Sequence, residues 1–180
     1  MTIQQIINDL IDREGGYSNN PNDPGGETMY GWTAAAARAE GYTGAMKDMP
    51  RSWAEAAYLR KYVTEPGFQK IAAINMRIAE ELVDTAVNCG AGVPGPWLQR
   101  SLNLFNRQGM DYADIGVDGQ LGAATIAALQ AFLTKRGADG EKVLLRALNS
   151  LQGYRYIDIG EHNTKLEDFE FGWFLNRIAV

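Results

Sequence analysis

Cysteine and histidine are almost absent from this sequence of 180 residues, in which Cys89 and His162 are the single examples. A lone cysteine cannot form a disulfide within the chain or build a cysteine-based metal site. His162 has no serine or cysteine partner near it in the sequence and no second metal ligand, which excludes a catalytic triad and a zinc amidase. We therefore expect chemistry that needs no metal and no cofactor.

Positive charge and long apolar runs are also scarce. The chain has 17 Lys and Arg against 22 Asp and Glu, a formal net charge of -5. Binding to nucleic acid depends on clustered Lys and Arg, so we expect no nucleic-acid partner. No window approaches the length that spans a bilayer, and the first residues lack a basic segment followed by an unbroken apolar stretch. We expect no stable membrane insertion, no export signal and synthesis in a reducing cytosol.

What the sequence does contain is helical periodicity. With 46% hydrophobic and 22% charged residues, the composition is that of a globular protein. Apolar residues recur at helical spacing over residues 3–14, from 34 with Thr33 as cap, and over 52–63, 68–89, 97–107, 123–135, 141–153 and 166–177. Thr2 with Gln5, and Ser52 with Glu55, fit the capping-box pattern at the starts of two of these helices. The Asn-, Pro- and Gly-rich stretch over residues 17–31 predicts consecutive turns with at most a small hairpin. The predicted fold class is mainly α.

The clearest break in the chain is the segment GAGVPGP, at residues 90–96. Glycine and proline at this density interrupt helices. We predict two helical lobes, residues 1–92 and 93–180. The linker between them is short, so we expect the lobes to pack closely.

Glu14 is the last residue of the first predicted helix, just before two glycines. At 100° per residue it lies about 20° from Ile3, in the middle of an apolar stripe whose members all fall within about 80° of Ile3. That stripe consists of Ile3, Ile6, Ile7, Leu10 and Ile11. Partial desolvation and the negative end of the helix dipole would both favour the protonated carboxyl, the form that a general acid needs. The alternative is that Glu14 only closes the helix and bonds loop amides.

The next residues, EGGYSNNPNDPGGETMYGWT, place Glu14, Asp23 and Thr28 on one compact loop. In glycosidic cleavage one carboxylic acid protonates the leaving oxygen, while a carboxylate and a hydroxyl across the sugar can hold an attacking water. As alternatives, Asp23 is a turn former before proline and glycine, and Thr28 is a structural hydroxyl.

Within this segment Glu-Gly-Gly-Tyr, Asn-Pro-x-Asp-x-Gly-Gly-x-Thr and x-Gly-x-Thr resemble the signature of glycoside hydrolase family 108 muramidases. The resemblance implies a lysozyme-like α+β fold and cleavage of the β-1,4 bond from N-acetylmuramic acid to N-acetylglucosamine. It implies Glu14 as proton donor and Asp23 with Thr28 as the pair that positions water. Because no second carboxylate is assured at the distance of a nucleophile, we expect an inverting course. The family usually has Ile, Val or a similar residue where this chain has Trp32.

Further candidates for substrate binding lie on both sides of this motif. Sugar rings stack on aromatic side chains, and Tyr17, Tyr30 and Trp32 flank the loop, whereas most other tryptophans fit helical cores. Residues 84–90, DTAVNCG, also resemble the family. Asp84 and Asn88 lie one helical turn apart and would face the cleft together, or alternatively cap the end of their helix.

The second half resembles the peptidoglycan-binding segment that accompanies this family. The similar motifs are DGQLGAAT at residues 118–125 and FGWFLNR at residues 171–177. In the first motif the glycines also serve to turn the chain into a helix, which a hydroxyl or carboxylate caps.

Together these observations predict a monomeric phage-type endolysin that acts on the glycan strands of the cell wall. Without an export signal, we expect a holin to release it from the bacterial cytoplasm. One alternative is a lytic transglycosylase, which also depends on one Glu but uses the 6-hydroxyl of the sugar as nucleophile. The other is a non-catalytic wall-binding or secretion-accessory protein.

Overall fold

The computed structural model describes residues 2–19 and 26–178. About 70% of the chain is helical, and the β-structure of the described part is one two-stranded antiparallel hairpin with a single additional bridge. The predicted mainly α, lysozyme-like class is therefore confirmed. The chain divides into two compact units, residues 1–63 and 64–180. No helix within the described ranges is both long enough and apolar enough to cross a membrane.

The first unit begins with helix α1 (Ile3–Glu14), which packs against helix α3 (Arg51–Leu59). The N-terminus of α1 is closed by the predicted capping box: Gln5 N–H donates to Thr2 Oγ1 at 3.2 Å, and Thr2 N–H donates to Gln5 Oε1 at 2.7 Å. The helix ends because Gly15 adopts a φ of +82°, a backbone angle that side chains disfavour. The predicted bounds of α1 are confirmed.

A hairpin of strands β1 (Thr28–Met29) and β2 (Trp32–Thr33) follows the loop after α1. Its two turn residues, Tyr30 and Gly31, have φ values of +52° and +78°. Positive φ at both central residues is the type I′ geometry that matches the twist of a two-residue hairpin. The short helix α2 (Ala34–Ala39) starts directly after β2, with the Thr33 hydroxyl accepting from Ala36 N–H at 3.2 Å as predicted.

The start of α3 differs from the sequence prediction. The helix begins at Arg51, after Pro50 at the cap position, and has no side-chain cap. Glu55, predicted to complete a capping box with Ser52, instead accepts a hydrogen bond from Arg51 Nε at 2.9 Å. The capping box predicted there is therefore wrong, because an ion pair one helical turn apart takes up the carboxylate. A single-turn 3-10 helix (Met46–Asp48) precedes α3, and a π-helical turn (Arg60–Thr64) follows it.

The second unit contains five helices in its described part: α4 (Phe68–Ala72), α5 (Met76–Cys89), α6 (Pro94–Phe105), α7 (Ala123–His162) and α8 (Glu167–Arg177). Helix α7 contacts α5, α6 and α8, so it is the centre of this unit. The predicted domain boundary at residue 92 lies within the unit. A division into residues 1–92 and 93–180 stays a prediction.

Two of the predicted helices in this unit have different bounds. The single helix expected over residues 68–89 is interrupted at Asn75, whose side chain accepts from Ile78 N–H at 3.0 Å and caps α5. Asparagine competes with helix continuation in this way. The two helices expected over 123–135 and 141–153 are both present, because the backbone leaves the helical conformation at Gly137, where φ is +56°. Helix α7 thus consists of two helical segments, and the second continues to His162.

Candidate active site

Glu14 is the last residue of α1 and is exposed to solvent. The buried residues of the helix end one turn earlier, at Leu10 and Ile11. A helical wheel gives the direction of a side chain but not its distance from the core, and the last turn of α1 extends past the edge of the core. The expected partial desolvation of Glu14 is therefore wrong. Its accessibility does suit a group that must reach a polymeric substrate.

The turn of the hairpin lies against the side chain of Glu14. A Cβ added to Gly31 would be 2.9 Å from Cγ and 3.0 Å from Cβ of Glu14, and closer still to the hydroxyl of Tyr58. These separations leave no room for a side chain at position 31, where the positive φ already favours glycine. Residues from three elements, α1, the hairpin and α3, thus meet around the stem of Glu14.

Tyr58 is the residue from α3 at this meeting point, and it was not identified from the sequence. The side chain is buried, and its hydroxyl donates to the backbone carbonyl of Tyr30 at 3.1 Å. Burial raises the pKa of Tyr58 well above its usual value, and the negative charge of Glu14 raises it further. Tyr58 is therefore a neutral hydroxyl at neutral pH.

Tyr62 lies one helical turn after Tyr58, and the two ring centroids are 5.5 Å apart. Burial is the main reason that the pKa of Tyr62 is raised, with Glu14 among the charges that add to the effect. Two tyrosines at i and i+4 form one face of a helix. That spacing was the sequence signal for this part of the site.

Thr28 is held in place through its backbone. Its N–H donates to the Ser18 carbonyl at 2.8 Å, its carbonyl accepts from Ser18 N–H at 3.0 Å, and it pairs with Thr33 across the hairpin. Thr28 is half-buried. The hairpin that contacts Glu14 therefore also carries Thr28. Asp23, predicted to act with it, lies outside the described residues.

Tyr17 and Tyr30 both present surface next to this site. Tyr17 is 43% exposed, and its hydroxyl donates to Glu27 Oε1 at 2.7 Å. That hydrogen bond is the main reason that the pKa of Tyr17 is raised, because it holds the proton on the phenol. Tyr30 is half-buried in the hairpin turn. Both rings keep the accessibility that stacking on a sugar requires.

Trp32, the third aromatic residue predicted to contact the glycan, is 3% exposed. Its ring packs against Trp53, Tyr58 and Tyr62, with centroid separations of 5.8, 5.0 and 6.4 Å. The Nζ of Lys61 lies 5.2 Å from the Trp32 ring centroid, as in a cation-π contact. This burial favours a core role for Trp32, and its contact with substrate stays a prediction. Trp32 belongs to the core beneath the hairpin.

Asp84 and Asn88, the predicted pair on α5, hold helices of the second unit together. Asn88 Nδ2 donates to the Asp84 carbonyl at 2.8 Å and to Asp84 Oδ2 at 3.2 Å. Asp84 Oδ2 also accepts from Gln152 Nε2 on α7 at 3.0 Å, and Oδ1 accepts from Arg177 Nη1 on α8 at 3.0 Å. These contacts favour the structural alternative for both residues. Their contact with substrate stays a prediction.

Glu81 is a carboxyl of α5 that the sequence did not single out. Its Oε1 is fully buried and has no hydrogen-bond partner in the described part of the chain. Burial, followed by the charge of Asp84, raises the pKa of Glu81 to about 7. Glu81 is therefore a group whose protonation changes near neutral pH inside the second unit.

No three His, Cys, Asp or Glu side chains of residues 2–19 and 26–178 are grouped so that they could hold a metal ion. The described site around Glu14 includes its own accessible carboxyl and the neutral phenols of Tyr58 and Tyr62. Such a set can deliver a proton to a bound substrate.

Comparison with known proteins identifies two families along the chain. The model of glycosyl hydrolase 108 matches residues 7–90, and that of a predicted peptidoglycan domain matches residues 93–178. The solved structure of Brucella abortus SagA is similar in fold, with a TM-score of 0.66 and 23% identity, over 94% of this chain and 85% of that one. A search of curated proteins found no match.

Proposed function

Because this chain belongs to glycosyl hydrolase family 108 over residues 7–90 and carries a peptidoglycan domain over residues 93–178, we propose that it is an N-acetylmuramidase. The bond cleaved is the β-1,4 link from N-acetylmuramic acid to N-acetylglucosamine in peptidoglycan, and Glu14 is the proton donor. One observation carries this assignment: the stem of the exposed carboxyl at the end of α1 and the hydroxyl of Tyr58 of α3 both lie against Gly31 of the hairpin.

The proposed reaction begins with transfer of the Glu14 proton to the glycosidic oxygen as the bond to the sugar breaks. Positive charge then develops on the sugar ring, and a water molecule attacks from the opposite face. Asp23 and Thr28 position that water in this proposal. Support for Thr28 comes from the hairpin, since the same two strands fix its backbone and place Gly31 against Glu14.

The tyrosines around the hairpin have two different roles in the proposal. Tyr17 and Tyr30 are accessible and provide stacking surfaces for the sugars on either side of the cleaved bond. Tyr58 is buried and acts on the hairpin turn rather than on the substrate. Glycan strands of the wall are the substrate, and a monomer released by a holin to lyse the host cell is the setting that we propose for the activity.

The test is the release of reducing ends from purified peptidoglycan by the Glu14→Gln variant. We expect loss of activity by at least about a hundredfold, the scale of general acid catalysis, with an unchanged melting temperature. Asp9→Asn is the matched control, because it removes the same charge from an exposed position on the same helix. Full activity of Glu14→Gln would overturn the assignment of the acid.

Product analysis separates the proposal from its rivals. A muramidase leaves reducing N-acetylmuramic acid ends, whereas a lytic transglycosylase leaves 1,6-anhydro ends that mass spectrometry detects. A non-catalytic wall-binding protein would sediment with peptidoglycan and release no new ends at any concentration. The anomer formed first, measured by NMR, tests the inverting course.

A further inference from the structure

A second concave surface lies within the peptidoglycan domain, at the end of α6 and beside α7. It encloses a cavity of about 490 Å³, a volume typical of small-ligand sites. After α6 the chain turns through Arg107 and Gln108, both with positive φ, and Arg107 is one of the residues that line the cavity. Non-glycine residues at positive φ are uncommon and concentrate at functional sites.

The floor of this cavity is apolar and partly open to solvent. Phe132 is buried at its base, and Phe105 stacks on it with ring centroids 5.9 Å apart. Leu104 and Val143, which also line the cavity, are 75% and 41% exposed. Apolar side chains this exposed around a concavity mark a binding surface.

The rim of the cavity is positively charged, although the chain as a whole carries a net charge of -5. Arg107, Lys135 and Arg136 line it, against the single carboxylate of Asp139. Asp139 is paired outside the cavity, with Lys142 Nζ at 3.2 Å. The cavity therefore attracts a negatively charged ligand.

Asp111 forms ion pairs with cationic side chains of the rim. Its side chain is 5% exposed and accepts a hydrogen bond from Arg107 Nε at 2.9 Å, while Arg136 Nη2 lies 3.6 Å away. The hydrogen bond from Arg107 is the main reason that the pKa of Asp111 is lowered, and the charges of Lys135 and Arg136 lower it further. One carboxylate thus pairs with two of the three cationic side chains that line the cavity, Arg107 and Arg136.

We propose that this cavity binds the peptide stems of peptidoglycan, which carry free carboxylates and the methyl groups of alanine. The carboxylates face Lys135 and Arg136, and the methyl groups rest on Leu104 and Val143. The N-acetylated sugars of the glycan strand carry no free carboxylate where stems are attached, so the charge of the rim favours the peptide over the glycan. The inference rests on the proposal that peptidoglycan is the substrate. In it, the peptidoglycan domain binds the peptide stems, whereas Glu14 acts on the glycan strand.

The direct test is calorimetric titration of the full chain with a synthetic stem peptide of alanine, glutamate and diaminopimelate. Lys135→Gln should weaken binding about tenfold, the scale of one charge-assisted contact. Arg146→Gln is the matched control, because it removes one positive charge from an exposed position of α7 outside the cavity lining. Equal affinity of Lys135→Gln and the unaltered protein would overturn the proposal.

A blocking variant tests the apolar floor independently. Val143→Trp fills the cavity from an exposed position and should abolish peptide binding, whereas Ile157→Trp adds the same ring at an exposed position of α7 outside the lining. Peptide binding that survives Val143→Trp would contradict the assignment. We expect that chitin oligosaccharides do not bind in this cavity. If the titration detects binding of these sugars and Val143→Trp abolishes it, the cavity is a glycan site instead.

Peptide-free glycan strands separate this inference from the proposed hydrolysis. Val143→Trp and Lys135→Gln should cleave such strands as fast as the unaltered protein, while their activity on intact sacculi falls about tenfold. If the unaltered protein binds the stem peptide but cleaves neither substrate, the proposed function fails and the peptide site stands. If it cleaves both substrates but does not bind the peptide, the peptide site fails alone.

Discussion

Gly31 lies so close to Glu14 that a Cβ at position 31 would be 2.9 Å from Cγ of the carboxylic side chain. Real Cβ atoms essentially never approach other heavy atoms this closely, so the hairpin turn and the end of α1 fit together only with glycine. The hairpin also carries Thr28. Any change that moves the turn therefore disturbs both Glu14, the proposed acid, and Thr28, which is proposed to position the water.

Gly31→Ala should reduce both activity and stability. The added methyl group would contact Glu14 and the Tyr58 hydroxyl, and the residue would have to adopt a φ of +78°. We expect destabilisation of about 1–2 kcal/mol from the backbone alone and a fall in kcat beyond what the loss of folded protein explains. Reducing-end release and thermal melting measure the two effects.

Gly41→Ala is the control for Gly31→Ala. Gly41 has a φ of +90°, but an added Cβ would have nothing within 4 Å. The Gly41→Ala variant should lose stability to a similar extent as Gly31→Ala and keep the kcat of the unaltered protein. Equal loss of kcat in both variants would mean that backbone strain, and not contact with Glu14, reduces activity.

Tyr58→Phe should alter the positioning of the hairpin turn. It removes the hydroxyl that donates to the Tyr30 carbonyl at 3.1 Å, a bond that contributes about 1 kcal/mol to stability. We expect a lower kcat with little change in KM, because the substituted side chain does not reach the substrate. A shifted limb in the pH profile of kcat would report the changed surroundings of Glu14.

Tyr42→Phe controls for the general loss of a tyrosine hydroxyl in the same unit. Tyr42 is also buried, and its hydroxyl donates to the Ala45 carbonyl at 3.0 Å. The two variants should lose similar stability, while only Tyr58→Phe changes kcat and the pH profile. If both leave catalysis unchanged, Tyr58 has a purely structural role.

The parts of this structure that the sequence predicted are local ones. The bounds of α1 follow from the Thr2 capping box, an apolar stripe and the glycine that ends the helix, all within 14 residues of one another. The break at Asn75 also had a local signal, since asparagine is a preferred helix cap. Because apolar residues continue at helical spacing from Ile71 to Ala86, the sequence predicted one uninterrupted helix.

The parts that could not be predicted depend on packing between distant segments. Tyr58 reaches the hairpin because α3 packs against α1, and periodicity within either helix does not encode that contact. The burial of Trp32 likewise arises from residues of α3 and the turn that follows it. Sequence motifs therefore pointed to Glu14 as the proposed acid, whereas tertiary packing decided which aromatic residues surround it and which lie in the core.

Glu81→Gln should increase the stability of the second unit above neutral pH. Burial raises the pKa of Glu81 from 4.5 to about 7, so the folded state favours the protonated form. The contribution of this carboxyl is fully present below its unfolded pKa and is lost as pH rises through about 7. Since glutamine cannot ionise, the variant avoids that loss, on the order of 2 kcal/mol at pH 8.

Denaturant unfolding at pH 4.5 and at pH 8 tests this difference. The free energies of unfolding of Glu81→Gln and the unaltered protein should be similar at the lower pH and diverge at the higher one. Glu161→Gln is the control, because it removes an exposed carboxyl from α7 of the same unit. A constant difference between Glu81→Gln and the unaltered protein at both pH values would contradict the raised pKa.

Trp32 and Tyr17 should respond in opposite ways to replacement by alanine. Trp32 is 3% exposed within an aromatic cluster, so Trp32→Ala should cost about 3–5 kcal/mol of stability, the scale for loss of a buried aromatic ring. Tyr17 is 43% exposed, so Tyr17→Ala should leave the melting temperature nearly unchanged and raise KM for glycan strands. Thermal melting and steady-state kinetics on the same preparations measure both. A raised KM in Trp32→Ala without loss of stability would instead indicate that Trp32 contacts the glycan.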